Sequence, residues 1–259
     1  MRLAKISWPK AKEYFSNNDS IIFAIGSIES HGKHNVLGVD TLIPDKLLDM
    51  IEQKSNVLIA PTLPYGSCDT LASFPGTISL GPDVLYDVLA KIVDGFYELG
   101  VRRFYFLNGH GGNIGTLDRI ALELSRKGAL GVQFNWWLMA WDLNPEWKGG
   151  HGGAEETSAM LAVDPALVDI SAIEEMNLID DLGENMPSSG FKGIRYKGVE
   201  IPVLRDVTRF SHNGWIGPDH PKNATQKWGN EMLASVCDYI VDFMDEFNNV
   251  ELPNTSVRL

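Results

Sequence analysis

Cysteine is scarce in this chain of 259 residues: the only two are Cys68 and Cys237, which are far apart and in no Cys-x-x-Cys pair. The sequence therefore predicts neither a disulfide framework nor a zinc site built from thiolates. Long apolar runs are also lacking, because the longest, residues 21–25 and 136–141, are too short to span a bilayer. Both shortages are typical of an ordinary globular protein, and the hydrophobic content of 44% is enough for a packed core.

Positive charge is in short supply as well. The chain has 22 lysine and arginine residues against 34 aspartate and glutamate residues, a formal net charge of -12, and no basic cluster longer than the pair Arg102 and Arg103. A surface of this sign repels phosphate groups, which excludes nucleic acid and anionic membranes as favoured partners. The first residues after Met1 contain no apolar stretch of the kind that directs export. We therefore expect a cytoplasmic protein.

Four nearly continuous hydrophobic runs are typical of strands buried on both faces. They cover residues 21–28, 57–63, 101–107 and 132–139, and helical patterns cover residues 41–53, 82–99, 114–127, 154–161 and 225–247. Strands alternating with helices indicate a parallel sheet with right-handed crossovers. We predict an α/β fold and a single domain over residues 1–259. The loop-rich residues 179–223 are long enough for a lid or a subunit contact, and the sequence does not choose between the two.

Histidines and acids gather where three of these segments end, and ligands of parallel sheets bind beyond the carboxyl ends of the strands. The residues are Glu29, His31 and Asp40 after the first run, His110 after the third, and His151, Glu155 and Glu156 after the irregular region that follows the fourth. We expect them to meet at one edge of the sheet. This convergence is the main functional signal of the sequence.

Glu29 and His31 are two residues apart, so both side chains project to the same side of an extended segment. A carboxylate and an imidazole suit zinc, manganese or iron, and Asp40 can add a carboxylate that bridges two ions. Each has a structural alternative. Glu29 and His31 can be a solvated loop pair, and Asp40 directly precedes a helical pattern, where aspartate is a preferred N-cap.

His110 is the centre of a glycine-rich turn, Asn-Gly-His-Gly-Gly-Asn, that runs into a helix. The chain has no G-x-G-x-x-G or G-K-[S/T] phosphate loop and no G-x-S-x-G nucleophile elbow, so nucleotide binding and serine hydrolysis are disfavoured. Glycines that let the backbone come close to an ion or substrate are the better account. Asn113 is well placed to cap the helix that follows.

His151 and Glu156 are five residues apart at the start of a helical pattern. Glutamate in a first helical turn can simply complement the helix dipole. The functional alternative is an acid/base pair beside a metal, which manages the protons of a metal-activated water as it attacks a carbonyl carbon.

With these motifs in this order, the sequence resembles the creatininase (creatinine amidohydrolase) family. The likeness covers most of the chain, through Gly26-Ser-Ile-Glu-Ser-His-Gly-Lys-His, Gly38-Val-Asp40-Thr, Phe74-Pro-Gly-Thr77, Asn108-Gly-His-Gly-Gly-Asn113, His151-Gly-Gly-Ala-Glu-Glu-Thr157 and Gly214-Trp-Ile-Gly217. It implies a three-layer α/β fold, a homohexamer and a site with two divalent ions, zinc, manganese or iron, that hydrolyses cyclic or linear amides. By position it implies four metal ligands, Glu29, His31, Asp40 as the bridge and His110, with His151 and Glu156 as the catalytic pair.

The chain departs from the family pattern in ways that bear on the substrate. Gly111 and Gly112 stand where the family has a tyrosine and a metal-binding glutamate, so Glu156 is the candidate to replace the missing ligand. Trp147 keeps the spacing of a tryptophan that stacks on substrate, although Lys148 follows it in place of an acid; we expect Trp147, Gly111 and Ser67 to contact the substrate.

The resemblance and its departures lead to an expected function. We expect hydrolysis of a non-peptide C–N bond in a small cyclic amide or formamide. The alternatives are a formylaminopyrimidine-type deformylase, a mycofactocin-type peptidase of the same family, and, in another class, a non-catalytic metal-binding assembly protein.

Overall fold

Four parallel strands form the central sheet in the computed structural model, which describes residues 1–175 and 178–253. The strands are β1 (Ser20–Ile25), β2 (Leu58–Ile59), β3 (Arg103–Asn108) and β4 (Leu130–Asn135), in the order β2-β1-β3-β4. Ile25 pairs with Asn108 and Asn108 pairs with Asn135, so β1, β3 and β4 end side by side. The loops that follow these strands therefore leave the sheet at the same edge.

Helices cover both faces of the sheet. They are α1 (Trp8–Asn17), α2 (Val39–Glu52), α3 (Gly81–Glu98), α4 (Ile114–Arg126), α5 (Trp136–Leu143), α6 (Ala154–Val163) and α7 (Gln226–Phe247). Side chains of β1 alternate between the two resulting cores: Ile22 and Ala24 pack with α2, α5, α6 and α7, whereas Ile21 and Phe23 pack with α1, α3 and α4. This arrangement confirms the predicted α/β class with three layers and explains why the strands are apolar throughout.

One predicted strand is wrong over half its length. The sequence predicts a single strand over residues 132–139, but β4 ends at Asn135 and α5 begins at Trp136. Trp136 and Ala140, four residues apart, are both buried against the core, which is helical spacing. A short apolar run does not distinguish a buried strand from a buried helix, because neither shows a polar face.

Two further elements differ from the sequence prediction. Only Leu58 and Ile59 of the run at residues 57–63 form a regular strand, although Leu63 still bridges to Ile25. Pro61 and Pro64 lack the N–H groups that a longer ladder needs. Helix α1 is absent from the sequence prediction, and Tyr14 is its only buried residue.

The irregular residues 179–223 contain a small antiparallel hairpin of β5 (Gly193–Tyr196) and β6 (Val199–Pro202). The hairpin stands apart from the main sheet, and β6 is exposed along its whole length. A satellite core fixes the surrounding loops, with Leu71, Val207, Phe210 and Ile216 buried together. No helix within the described ranges combines the length and apolarity needed to cross a bilayer.

Candidate functional site

The loops at the carboxyl edge of the sheet bring six acids and histidines of the sequence prediction into one cluster. These residues are Glu29, His31, Asp40, His110, His151 and Glu156, and we call them the central cluster. The loop after β1 supplies the first two, and the third belongs to the first turn of α2. The loop after β3 supplies His110, and the last two come from the start of α6 and the residues before it.

Glu29 is fully buried and its two carboxylate oxygens have different surroundings. The Ser27 hydroxyl donates a hydrogen bond to Oε2 over 2.8 Å. Oε1 faces the interior of the cluster, 3.2 Å from His110 Nδ1 and 3.7 Å from His151 Nδ1, and has no hydrogen-bond partner among the described residues. One oxygen is thus anchored while the other is left open.

Each of the three histidines has one ring nitrogen against a main-chain carbonyl oxygen. His31 Nδ1 lies 3.1 Å from the carbonyl of Glu29, and His110 Nε2 lies 2.9 Å from that of Ser67. His151 Nε2 lies 2.7 Å from the carbonyl of Ser30. A carbonyl oxygen only accepts, so each of these nitrogens carries a hydrogen and the opposite nitrogen faces the cluster, where it can bind an ion once it is deprotonated.

Asp40 joins the two halves of the cluster. Its Oδ1 lies 3.0 Å from His31 Nε2, and its Oδ2 lies 3.0 Å from His110 Nδ1. The N-cap interpretation is wrong, because Asp40 is the second residue of α2, Gly38 is the N-cap, and no side chain caps the helix. A carboxylate with its two oxygens directed at different ligands has the geometry of a bridge between two ions.

Glu155 and Glu156 do belong to the first turn of α6, as the structural alternative proposed. Glu156 Oε2 accepts a hydrogen bond from the Gly152 amide over 2.7 Å and lies 3.6 Å from His31 Nε2. Glu155 accepts one from Trp141 Nε1 over 2.8 Å. Position at the helix start and participation in the cluster are therefore compatible for Glu156.

The donor set fits divalent ions. Three triads have ligand atoms within 4.8 Å of one another: Glu29 with Asp40 and His110, His31 with Asp40 and Glu156, and Glu29 with His31 and His151. Three buried atoms at their centre, Glu29 Oε1, His31 Nε2 and Asp40 Oδ2, have no hydrogen-bond partner within the described part of the chain. Buried polar atoms without partners are costly unless an ion completes them.

Electrostatics within the cluster are strongly perturbed. Burial by itself lowers the pKa of His31, but Asp40, Glu156 and Glu29 outweigh it and raise this pKa to about 10. Burial also opposes ionisation of Asp40, yet His31 and His110 hold the pKa of this carboxyl well below its usual range. Protons here occupy the place that cations would take, since both respond to the same concentrated negative charge.

The pKa values of the two candidate catalytic groups are both shifted. Burial, assisted by the neighbouring His31, keeps the pKa of His151 well below its ordinary value, so the imidazole is neutral. Burial raises the pKa of Glu156 to about 7. A base and an acid with pKa values on opposite sides of their normal ranges are typical of active sites.

The glycines of the turn allow a close approach, as the sequence predicted, but the partner that they approach is protein backbone. A β-carbon at Gly109 would lie 1.9 Å from the carbonyl oxygen of Asp40, and one at Gly112 would lie 2.0 Å from that of Ser67. Asn113 takes the N-cap position of α4, but its side chain does not cap the helix. Its amide instead donates to the Gly26 carbonyl over 3.0 Å and so ties the turn to the loop after β1.

A cavity of about 590 Å³ opens onto the cluster. Its lining includes Ser67 and Gly111, two of the expected substrate contacts. The third, Trp147, is not among the lining residues. It ends the short turn Pro145–Trp147 and packs on the core, so its spacing in the sequence does not bring it to the cavity.

Sequence reasoning missed several residues of the cavity wall. Asp69, Thr70, Pro82, Trp137, Trp141, Phe191 and Leu204 all contribute to it. Trp137 belongs to the apolar run at residues 132–139, and the prediction of a strand for this run placed Trp137 in the sheet. Phe191 and Leu204 belong to residues 179–223, for which the sequence left a lid and a subunit contact open, but no local pattern singled out these two side chains.

Comparison with known proteins identifies the family of this chain. A model of the creatininase family, described as creatinine amidohydrolase, matches residues 4–244. The chain is 29% identical over 194 residues to creatinine amidohydrolase of Pseudomonas putida, covering 66% of this chain and 75% of that protein. It is 33% identical over 237 residues to mycofactocin precursor peptide peptidase of Mycobacterium tuberculosis, covering 86% of this chain and 83% of the relative.

A solved structure described as "Creatininase Mn" has the same fold. Its TM-score is 0.76 at 24% sequence identity, and the alignment covers 96% of this chain and 99% of the other. The three-layer arrangement is therefore shared over nearly the entire chain.

Proposed function

This chain belongs to the creatininase family and is an amidohydrolase, and we propose that it works with two divalent ions bridged by Asp40. Glu29, Asp40 and His110 would hold one ion, and His31, Asp40 and Glu156 the other. The observation that carries this proposal is the pair of triads that share Asp40 around unpartnered buried atoms. Glu156 would replace the glutamate that the family pattern has where this chain has Gly112.

The ligand atoms suit several metals. Carboxylate oxygens and imidazole nitrogens bind zinc, manganese and iron, and the structure described as "Creatininase Mn" makes manganese a specific candidate. Nothing in the donor set favours a soft metal, because Cys68 and Cys237 are outside the three triads.

Divalent ions bound in this site would supply Lewis acidity, which polarises a carbonyl group and eases ionisation of water. His151 donates its Nε2 hydrogen to the Ser30 carbonyl, so its Nδ1 faces the cluster and can take a proton from the attacking water. Glu156 is the candidate to deliver a proton to the departing nitrogen, in addition to its proposed place among the ligands. Ser67 and Gly111 line the cavity where the substrate would lie.

For the substrate, we propose a small cyclic amide or a formamide. A cavity of about 590 Å³ is the size of an ordinary small-molecule site. A second candidate is cleavage of a short peptide, which is favoured by the 33% identity to the Mycobacterium tuberculosis peptidase. A formylaminopyrimidine-type deformylase is the third variant of the same chemistry.

Assembly and location extend the proposal. We propose that residues 1–259 act as a single domain, that the chain forms a homo-oligomer, with the hexamer implied by family resemblance as the specific expectation, and that it works in the cytoplasm. Light scattering after size exclusion tests the oligomer, because a monomeric mass contradicts it.

Metal analysis and a substrate screen test the function. Purified protein should contain about two transition-metal ions per chain, as two-metal hydrolases do. Creatinine, formylaminopyrimidines and short amides should then be assayed with ammonia and formate read separately, and with an Asp40→Asn variant as the blank. If the protein binds no stoichiometric transition metal after incubation with zinc, manganese and iron, the proposed two-metal hydrolase is wrong. The alternative of a non-catalytic metal-binding protein is then wrong as well.

A further inference from the structure

The acids and bases that line the cavity are unevenly distributed. Outside the central cluster, its titratable lining residues are Asp69 and Glu155, both acids. No lysine or arginine lies among the described residues that line it. A substrate that carried a carboxylate or phosphate group would therefore meet like charge without a counter-ion.

Asp69 stands at the rim of the cavity. It begins the short turn Asp69–Leu71 and is exposed. Its Oδ1 accepts a hydrogen bond from the Ser79 hydroxyl over 2.6 Å, and the same Ser79 oxygen accepts one from the Cys68 amide over 2.9 Å. These bonds fix the carboxylate at the entrance.

Glu155 lies deeper and is only 1% exposed. One carboxyl oxygen accepts the hydrogen bond from Trp141, and the other has no partner in the described part of the chain. Both residues line the cavity. The inner wall therefore joins a carboxyl group to an aromatic face.

The remaining wall is apolar and largely aromatic, with contributions from Trp137, Trp141, Phe191 and Leu204. Flat ring surfaces favour planar organic groups, which they cover at low entropic cost. The carboxylates of Glu29, Asp40 and Glu156 would offset three of the four positive charges of the two proposed ions, and the charge of Asp69 at the rim opposes the one that remains.

On these observations, which rest on the proposed function, we propose that the substrate is a planar amide without a negative charge, and that Asp69 is the residue at the entrance that selects against anions. Neutral and cationic amides enter past a rim that carries the charge of Asp69, whereas burial raises the pKa of Glu155 in the inner wall well above its usual range. Amides with a carboxylate or phosphate group are disfavoured before they reach the central cluster.

Lys148 is a cation near the aromatic wall, and its influence on the charge preference must be distinguished from that of Asp69. Lys148 Nζ is 5.3 Å from the centre of the Trp141 ring, but Lys148 is not among the lining residues. Its charge is engaged with the indole face, so we expect Lys148→Gln to leave the charge preference unchanged.

Three metal-binding probes of the same shape test the inference on the metal-loaded protein. They are benzohydroxamic acid, its 4-aminomethyl derivative, which is cationic, and its 4-carboxy derivative, which is anionic. Calorimetry at low ionic strength should give a Kd for the anionic probe about tenfold weaker than for the neutral probe. Asp69→Asn should reduce the ratio of anionic to cationic Kd about threefold, the size expected for an exposed charge. Asp242→Asn, an exposed acid on α7, is the matched control and should leave the ratio unchanged.

The outcomes separate the inference from the function on which it rests. An anionic probe that binds as tightly as the neutral one overturns the selection while leaving the two-metal site intact. An unchanged ratio in Asp69→Asn removes Asp69 from that role. Failure of all three probes to bind the loaded protein counts against the metal centre itself, and the inference falls with it.

Discussion

His110 donates its Nε2 hydrogen to the carbonyl oxygen of Ser67 over 2.9 Å, and this bond crosses the space beside Gly112. A β-carbon at Gly112 would lie 2.0 Å from that carbonyl oxygen and 2.5 Å from the ring nitrogen. Any side chain at this position must push the two partners apart. The orientation of His110 therefore depends on a residue that has no side chain of its own.

Gly112→Ala is expected to damage both the fold and the metal site. Overpacking of this kind costs about 1–3 kcal/mol of unfolding free energy, and rotation of His110 should lower the metal content. Urea denaturation and metal analysis measure the two effects. The control is Gly95→Ala on α3, where a β-carbon meets nothing within 4 Å and should add about 0.5–1 kcal/mol of stability. Equal behaviour of the two variants would contradict the steric argument.

Asp40→Asn should empty the site of both ions. An amide cannot bridge two cations as a carboxylate does, so metal content should fall for both positions. Loss of a residue that only hydrogen-bonds to a metal ligand costs up to about 100-fold in activity, and loss of the ligand Asp40 should lower kcat/KM by more than that. Asp49→Asn on the same helix is the matched control, because Asp49 pairs with Arg2 at the surface. Loss of only one ion from Asp40→Asn would show that the carboxylate is a terminal ligand and not a bridge.

His151→Gln should separate catalysis from metal binding. Glutamine can still donate a hydrogen bond to the Ser30 carbonyl, but it cannot take up a proton, so kcat should fall by about 10²–10⁴ with metal content unchanged. The exposed His212 provides the control variant His212→Gln. Metal loss from His151→Gln would instead place this residue among the ligands, in the triad with Glu29 and His31.

The metal-free protein should lose stability as the pH rises. His31 holds its proton more tightly in the folded state, where its pKa is about 10, than in the unfolded state, where it is near 6.5. This contribution is fully present below about pH 6.5 and is lost as the pH rises towards 10. The pKa of Glu156 is raised from 4.5 to about 7, so its contribution to stability is also lost as the pH rises, but at lower pH values than that of His31. The lowered pKa of Asp40 has the opposite sign and acts only in acid.

Urea midpoints at pH 6.5 and 9.5, with and without metal, measure this dependence. We expect the chelator-treated protein to be less stable at the higher pH, and bound ions to remove the loss, because they replace the protons. His31→Gln should flatten the slope of the metal-free protein. A metal-free protein that is equally stable at both pH values would contradict the raised pKa of His31.

Much of the site was predictable because it follows from the positions of residues along strands. Glu29 and His31 come after β1 and His110 after β3, and the pairing of Ile25 with Asn108 makes these two strand ends neighbours. The order of apolar runs and glycine-rich turns was enough to predict an α/β sheet and its functional edge.

The rest depended on contacts that no local pattern encodes. Trp137 lies on a helix whose apolar sequence predicts a strand. Trp147 has the family spacing, but it packs on the core and does not line the cavity. Leu204 reaches the cavity from a segment distant in sequence. Periodicity records which face of an element is apolar, but it does not record which elements meet across a cleft.

One ring nitrogen each of His31, His110 and His151 is hydrogen-bonded to a main-chain carbonyl, and this determines how the site responds to mutation. Replacing the side chain of Ser30 or Ser67 cannot remove the carbonyl acceptor at that position, so the histidine tautomers should tolerate sequence drift there. An inserted or deleted residue in either loop moves the carbonyl itself. The chemistry of these histidines is therefore sensitive to loop length but largely indifferent to which side chains stand at positions 30 and 67.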